Sequence, residues 1–259
     1  MEEFNMTTFL GPKQGSNMRW VTLLPLVVVL GISQSATLLA AEAILVGAGD
    51  IAKCGENLKG AEATAKLLDE LFPESRGSRI DGVVFTLGDN AYPRGTARQF
   101  SECYHPTWGR HKKRTRPALG NHDYGVKGGG AYFDYFGEAA GERGKGYYSY
   151  DLGDWHILVL NSNCKKVDGC EEGSPQHQWL VDDLEKHPRP CTLAYWHHPL
   201  FSSGKHGGKK GMRPIFKTLY EFDVDVVLAG HEHGYERFAP PDSDGIRNPA
   251  SRANPNKHR

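Results

Sequence analysis

Five short apolar runs constrain this chain most, because four of them lead straight into a residue suited to binding rather than to packing. They are AILVGAG (43–49), GVVFTLG (82–88), WHILVLNS (155–162), CTLAYWH (191–197) and DVDVVLAG (223–230). Continuous Val, Ile and Leu without alternation predicts strands buried on both faces. Three stretches of helical spacing fall between them, at 60–72, 174–187 and 213–222. The second opens with Ser174 at an N-cap position and Pro175 in the first turn. Strands covered by helices on both sides make an α/β sandwich. The stretch GYYSYDLGDWHILVL (146–160) reads instead as a hairpin turning at Gly153-Asp154, so the sheet is expected to be mixed.

The ends of the strands carry the chemistry. The first run leads to Asp50 and the second to Asp89, while RTRPALGNHD delivers Asn121, His122 and Asp123. The fourth run ends in His197 and His198, and the fifth in His231 and His233. In open α/β sheets that edge is where ligands bind. Carboxylate, amide oxygen and imidazole together suit divalent or trivalent transition metals. A dinucleotide loop at GAGDIA is a poor alternative, because KCGEN intervenes before the helix. His156 alternates with apolar residues and reads as structural, and His177 and His187 fall on a helix face that looks solvated. All three stay outside the site.

Composition narrows the partners. Lys+Arg and Asp+Glu are both 31, so the balance lacks the basic surplus of a nucleic-acid binder. The runs HKKRTR (111–116) and KHGGKK (205–210) are solvated faces in the ordinary reading, although the second lies close enough to His197 to attract an anion. Residues 1–43 differ from the rest. Arg19, the uncharged run VTLLPLVVVLGI (21–32) and Ala41-Glu42-Ala43 describe a secretory signal peptide, with Met18 as an alternative start and an uncleaved anchor as the rival reading. Export gives the five cysteines meaning. Cys164 with Cys170, and Cys54 with Cys103, could form bridges, which would leave Cys191 as a buried thiol; spacing alone does not fix connectivity. Residues 240–259 lack apolar periodicity and are expected to be a disordered tail.

Taken in order, Asp50, Gly88-Asp89-Asn90-Ala91-Tyr92, Gly120-Asn121-His122-Asp123, His197 and Gly230-His231-Glu232-His233 form the pattern D…GD-x-x-Y…GNH[DE]…H…GH-x-H. This resembles the calcineurin-like metallophosphoesterases, and among them the purple acid phosphatases, over roughly residues 44–239. The resemblance implies a four-layer α/β/β/α sandwich with mixed sheets. It implies two metal ions, Fe3+ with Fe2+, Zn2+ or Mn2+. One ion would take Asp50, Asp89, Tyr92 and His233, the other Asp89, Asn121, His197 and His231, with Asp89 shared. It implies a metal-bridging hydroxide that hydrolyses small phosphate monoesters, and the leader-like residues 1–43 place that activity outside the cytoplasm, in a secreted or periplasmic protein. No stable membrane contact is expected if the leader is cleaved, and the oligomeric state is open. His122 matches the histidine that contacts the phosphate and helps the leaving oxygen depart, with Asp123 orienting it. His206 matches a substrate-facing histidine, and His198 is either a further one or a ring behind the site. Glu236 and Arg237 brace their loop. Relatives of this kind continue past GH-x-H with further strands, whereas no strand is expected here after YERFAPP, so the domain reads as shortened with an exposed sheet edge. A phosphodiesterase acting on nucleotides or lipids, and an inactive metal-binding module, are the alternative functions.

Overall fold

The computed structural model describes residues 43–55, 58–73, 82–239 and 242, and the backbone of Met6–Leu10. The apolar run at 21–32, the Ala41-Glu42 pair and, apart from Asp242, the tail at 240–259 lie outside the described residues.

The chain runs β1 (Met6–Leu10), β2 (Ile44–Ala48), β3 (Ala52–Lys53), α1 (Leu58–Leu71), β4 (Gly82–Thr86), β5 (Ala91–Tyr92), α2 (Ala97–Gln99), β6 (Thr115–Pro117), α3 (Gly130–Phe136), β7 (Tyr148–Leu152), β8 (Trp155–Val159), α4 (Pro175–Lys186), β9 (Cys191–Trp196), α5 (Arg213–Glu221), β10 (Val226–Ala229) and β11 (Tyr235–Arg237). Two sheets organise it. One is three-stranded and wholly parallel, in the order β2-β4-β6. The other is six-stranded, in the order β11-β1-β10-β9-β8-β7. In it β8, β9 and β10 are parallel, and the β7–β8 hairpin turns at Gly153, whose φ is +58°.

Three apolar clusters define four layers. Phe85, Leu87, Ile157, Val159, Leu193, Tyr195 and Leu228 fill the space between the sheets. Ala61, Ala65, Leu68, Tyr104, Trp108, Tyr132 and Phe136 pack the outer face of the smaller sheet under α1 and α3. Leu180, Leu184, Ile215, Phe216, Leu219, Trp196 and Val227 pack α4 and α5 onto the larger sheet. The expected α/β/β/α sandwich is what the residues form, with one refinement: the smaller sheet is parallel, not mixed.

Three local expectations need correction. The strand before GH-x-H is not a bare edge, because β10 pairs with β1 in antiparallel register, Thr7 opposite Ala229, and β1 pairs in turn with β11. YER is itself a strand, too short to show periodicity. Ser174 does hold the N-cap position of α4, but without a capping bond: its hydroxyl is buried without a hydrogen-bond partner. His177 is half-buried rather than solvated, and its Nε2 lies 2.9 Å from Thr218 Oγ1 on α5.

The cysteines pair as Cys54–Cys103 and Cys164–Cys170, with Cα separations of 5.4 and 5.2 Å. Cys191, outside both bridges, is buried as the first residue of β9.

His156 on β8 pins α4 to the hairpin. Its Nε2 lies 2.6 Å from Asp183 Oδ2 on α4, and its Nδ1 lies 2.8 Å from Asp151 Oδ1 on β7. Carboxylates at both ring nitrogens require both to carry protons. Burial opposes that charge, but the bonds to Asp183 and Asp151 outweigh it and raise the His156 pKa above 6.5. A raised histidine pKa contributes stability that is full below the unfolded value and is lost as pH climbs through the folded one. The contact to half-exposed Asp151 counts for little. Replacing His156 with Gln at pH 6 should therefore cost about 3 kcal/mol, mostly from stranding buried Asp183. Thermal melts of both proteins from pH 6 to 9.5 should show the gap narrowing as pH rises; a constant gap would refute the charged bridge.

Candidate metal centre

The site is built where the carboxyl ends of β2, β4, β6, β9 and β10 meet. Two loops from the smaller sheet lie almost in contact: a Cβ on Gly120 would fall 2.0 Å from Asp89 Oδ1, and one on Gly88 would fall 2.7 Å from both Gly120 N and His197 Nδ1. Asp50, Asp89 and His231 hold left-handed backbone, with φ of 58°, 51° and 73°. Aspartate and histidine tolerate that region better than most side chains.

Asp89 is the hub. His122 N donates to its Oδ1 at 2.8 Å. Its Oδ2 receives the Tyr92 hydroxyl at 3.1 Å and lies 3.3 Å from His197 Nε2. Around it the remaining donors fall into two groups. On one side the Tyr92 hydroxyl donates to Asp50 Oδ1 at 2.8 Å, and His233 Nε2 lies 3.5 Å from the same oxygen. On the other, His197 Nε2 lies 3.1 Å from Asn121 Oδ1 and 3.2 Å from His231 Nδ1. The His197 ring is oriented by its Nδ1–H, which donates to Leu87 O at 2.7 Å. His231 N donates to Asp50 Oδ2 at 2.9 Å, which ties the two sheets together at the site. All seven side chains expected to be ligands are thus brought together.

The charge state follows. Burial alone would raise Asp50, but the His233 bond, the His197 charge and the Tyr92 hydroxyl hold it down at about 2. Asp89 is also lowered, since His197 outweighs its burial. His197, fully buried, is nonetheless raised to about 9 by Asp89 and Asp50. His231 falls to about 4 through burial and the neighbouring His197 charge. Tyr92 is pushed far above 10 by burial and by Asp50 and Asp89. The charged proton of His197 and the hydroxyl proton of Tyr92 thus stabilise two buried carboxylates, the role cations would take. Carboxylates, a phenol, an amide oxygen and imidazoles fit hard or borderline ions, whose binding must expel those protons.

The residues expected to touch substrate are placed differently from one another. His122 is half-exposed at the rim, its Nδ1 2.6 Å from Pro93 O and its Nε2 3.8 Å from Asp89 Oδ2. Asp123 does not orient it. Its fully buried carboxylate accepts Gly120 N at 2.8 Å, Asn90 N at 3.1 Å and Asn90 Nδ2 at 2.9 Å, and burial with the nearby Asp89 charge raises it to about 7. The Pro93 carbonyl has the orienting place instead. His198 lies behind the site: its backbone N–H donates to Ser162 Oγ, its Nδ1 meets the same hydroxyl, and its ring lies 4.5 Å from that of His231. Burial and the charges of His197 and His231 lower it to about 2, so its ring is neutral. His206 is exposed, its ring 4.8 Å from His231. Asn90 also donates to Ala118 O and so laces the β4 and β6 loops together. An asparagine in a GDN turn gives no signal of that second duty.

A model of the calcineurin-like phosphoesterase family matches residues 45–235, most of the described chain and every donor above. The chain belongs to that family. Over 110 residues, 39% of the chain and 25% of the relative, it is 38% identical to a probable purple acid phosphatase 20 of Arabidopsis thaliana. Over 158 residues, 52% of the chain and 34% of the relative, it is 34% identical to purple acid phosphatase 23 of the same plant. The purple acid phosphatase PPD1 from yellow lupin (Lupinus luteus) seeds shares the fold, with a TM-score of 0.50, 18% identity, and coverage of 70% of this chain and 36% of that one. The chain spans between 19% and 34% of the length of the curated relatives it matches. Membership of a metal-dependent phosphoesterase family agrees with the donor set.

Because a Cβ on Gly120 would meet both the Asp89 carboxylate, at 2.0 Å, and the Asp89 backbone N, at 2.1 Å, Gly120→Ala should displace Asp89. Metal content of the purified variant, measured by plasma mass spectrometry, should fall at least tenfold, on the order expected when a coordinating group is misaligned. A variant that retains full metal content would show that the contact is not needed.

Proposed function

We propose that this chain hydrolyses phosphate monoesters at a dinuclear metal centre. The observation that carries the reading is the placement of Asp89, whose Oδ2 faces Tyr92 on one side and His197 on the other. Asp50, Asp89, Tyr92 and His233 would hold one ion, and Asp89, Asn121, His197 and His231 the second. When bound, two such ions would neutralise charge on the phosphoryl oxygens and supply an acidified water.

The protein's own groups do the rest. The Pro93 carbonyl commits the His122 Nδ1 proton, so a proton carried on Nε2 can be given away and still leave a neutral ring of the right tautomer. That suits a general acid for the departing alkoxide. His206, on the same open face as His231, is a candidate to hold the phosphate. His198 is proposed as a support behind His231 and not a catalyst, and Asp123 as the peg that sets the Asp89 and Asn121 loops.

Tyr92 bears on the choice of metal. Its proton is held by two carboxylates, and removing it calls for a strongly polarising cation, which favours Fe3+ beside a divalent ion. Export is supported by the leader-like features before residue 44 and by two disulfides. A leader cleaved before Ile44 would also remove β1, so the N-terminal sequence of the protein recovered from a secreting host tests both readings at once: a start near residue 44 supports export, and retention of Met6–Leu10 refutes that cleavage.

Two variants test the mechanism. His122→Ala should lose about a hundredfold or more in kcat on p-nitrophenyl phosphate, the usual worth of a general acid, with metal content unchanged. Tyr92→Phe should abolish the visible absorption of the iron-loaded protein. A fully active His122→Ala, or faster turnover of bis(p-nitrophenyl) phosphate than of the monoester, would overturn the assignment.

A further inference from the structure

Glu232 stands between two proposed metal ligands, where an acidic group facing an anion-binding mouth needs a reason. Its side chain is only 12% exposed. Its Oε1 accepts the backbone N–H of His206, and its Oε2 lies 3.4 Å from His206 Nδ1. The fit is close: a Cβ on Gly204 would fall 2.3 Å from Glu232 Oε2, so any larger residue there would push the carboxylate aside. Glu236, on β11, grips the same loop one step earlier. It accepts Ser202 Oγ at 3.0 Å, Ser203 N at 3.1 Å, and the Ser203 hydroxyl. The Ser202 hydroxyl in turn accepts Gly204 N at 2.9 Å. Farther along, Lys209 N donates to Pro199 O at 2.7 Å and closes the loop on itself.

We propose that Glu232 is a positioning residue that fixes His206 over the metal centre, with Glu236 anchoring the base of the same loop. The loop at 202–208 is rich in glycine and serine and has little apolar contact of its own, so its ordering rests on these two carboxylates. Glu232 spends its charge on one backbone N–H and one imidazole, which directs the opposite edge of the His206 ring, its Nε2, away from the clamp. The segment that carries His231 and His233 thereby also sets the position of a third histidine from a different loop. The kinetic consequence rests on the phosphatase reading; the clamp itself does not.

The experiment has two arms on the full chain. In the first, hydrogen–deuterium exchange of the peptide covering 202–208 is compared in the wild type, Glu232→Ala and Glu232→Gln. Glu232→Ala should lose protection at His206, and Glu232→Gln, which keeps an oxygen acceptor, should recover most of it. Equal protection in all three proteins overturns the clamp. In the second, Glu232→Ala, His206→Ala and the double variant are assayed on p-nitrophenyl phosphate with metal content measured alongside. Glu232→Ala and His206→Ala should each raise KM about tenfold, the scale of one charge-assisted hydrogen bond, with kcat changed far less. The double variant should be no worse than His206→Ala. Multiplying effects, or metal lost in Glu232→Ala, would show that Glu232 acts on something other than His206 and would sink the proposal. A wild type inactive on phosphate esters would defeat the phosphatase reading alone, since the exchange arm still decides the clamp.

Discussion

The structure depends on a carboxylate that two sheets share. Asp89 belongs to the small sheet by its strand, yet its Oδ2 lies 3.3 Å from a histidine that closes the central strands of the large one. His231, also from the large sheet, donates its N–H back to Asp50. These two contacts fix how the sheet edges face one another at the site, and the cluster of Phe85, Leu87, Leu193, Tyr195 and Leu228 then fills the space behind them. Burying that many aromatic and branched side chains, at about 1.5–3 kcal/mol each, offsets the cost of desolvating the acids.

Much of this was legible from the chain. Strands such as Val226–Ala229 are read easily because burial on both faces leaves no polar position to blur the run. Asp50, Asp89, Asn121, His197, His231 and His233 stand at the ends of strands or strand-like segments, whereas Tyr92 and the choice of these seven as ligands rest on the family resemblance. What escaped notice has a common physical cause. The Pro93 and Leu87 carbonyls orient His122 and His197 through main-chain atoms, which every residue type possesses. The β1–β10 pairing joins positions more than two hundred residues apart, and β11 is three residues long, below the length at which alternation can be seen. Asp123 follows His122 in sequence, which suggests a bond between them, but the short helical turn at Asp123–Gly125 directs its carboxylate toward Gly120 and Asn90.

The acidic residues divide the work by surroundings. Asp50 and Asp89, among histidines, stay ionised. Asp123, despite three N–H donors, is raised to about 7 by its burial and the nearby Asp89 charge. Glu232 and Glu236 lie farther out and hold a loop rather than the centre. Residues of the same class thus serve as proposed ligand, internal peg and external tether within a few residues of one another in space. His156, Asp183 and Asp151 repeat the imidazole–carboxylate pairing on the far side of the large sheet, where it holds a helix.

The left-handed backbone at Asp50, Asp89 and His231 has a consequence for how the site can be probed and how it can drift. An alanine placed at any of the three removes a donor atom and also sits in a conformation that costs it on the order of 1 kcal/mol or more, so its phenotype mixes two losses. Glycine is at ease there and removes the side chain without the backbone strain, so it separates the two losses. The same bias limits the substitutions that mutation can explore. At these positions the main chain admits few residue types, and aspartate, asparagine and histidine, which it favours, are also those able to ligate a metal.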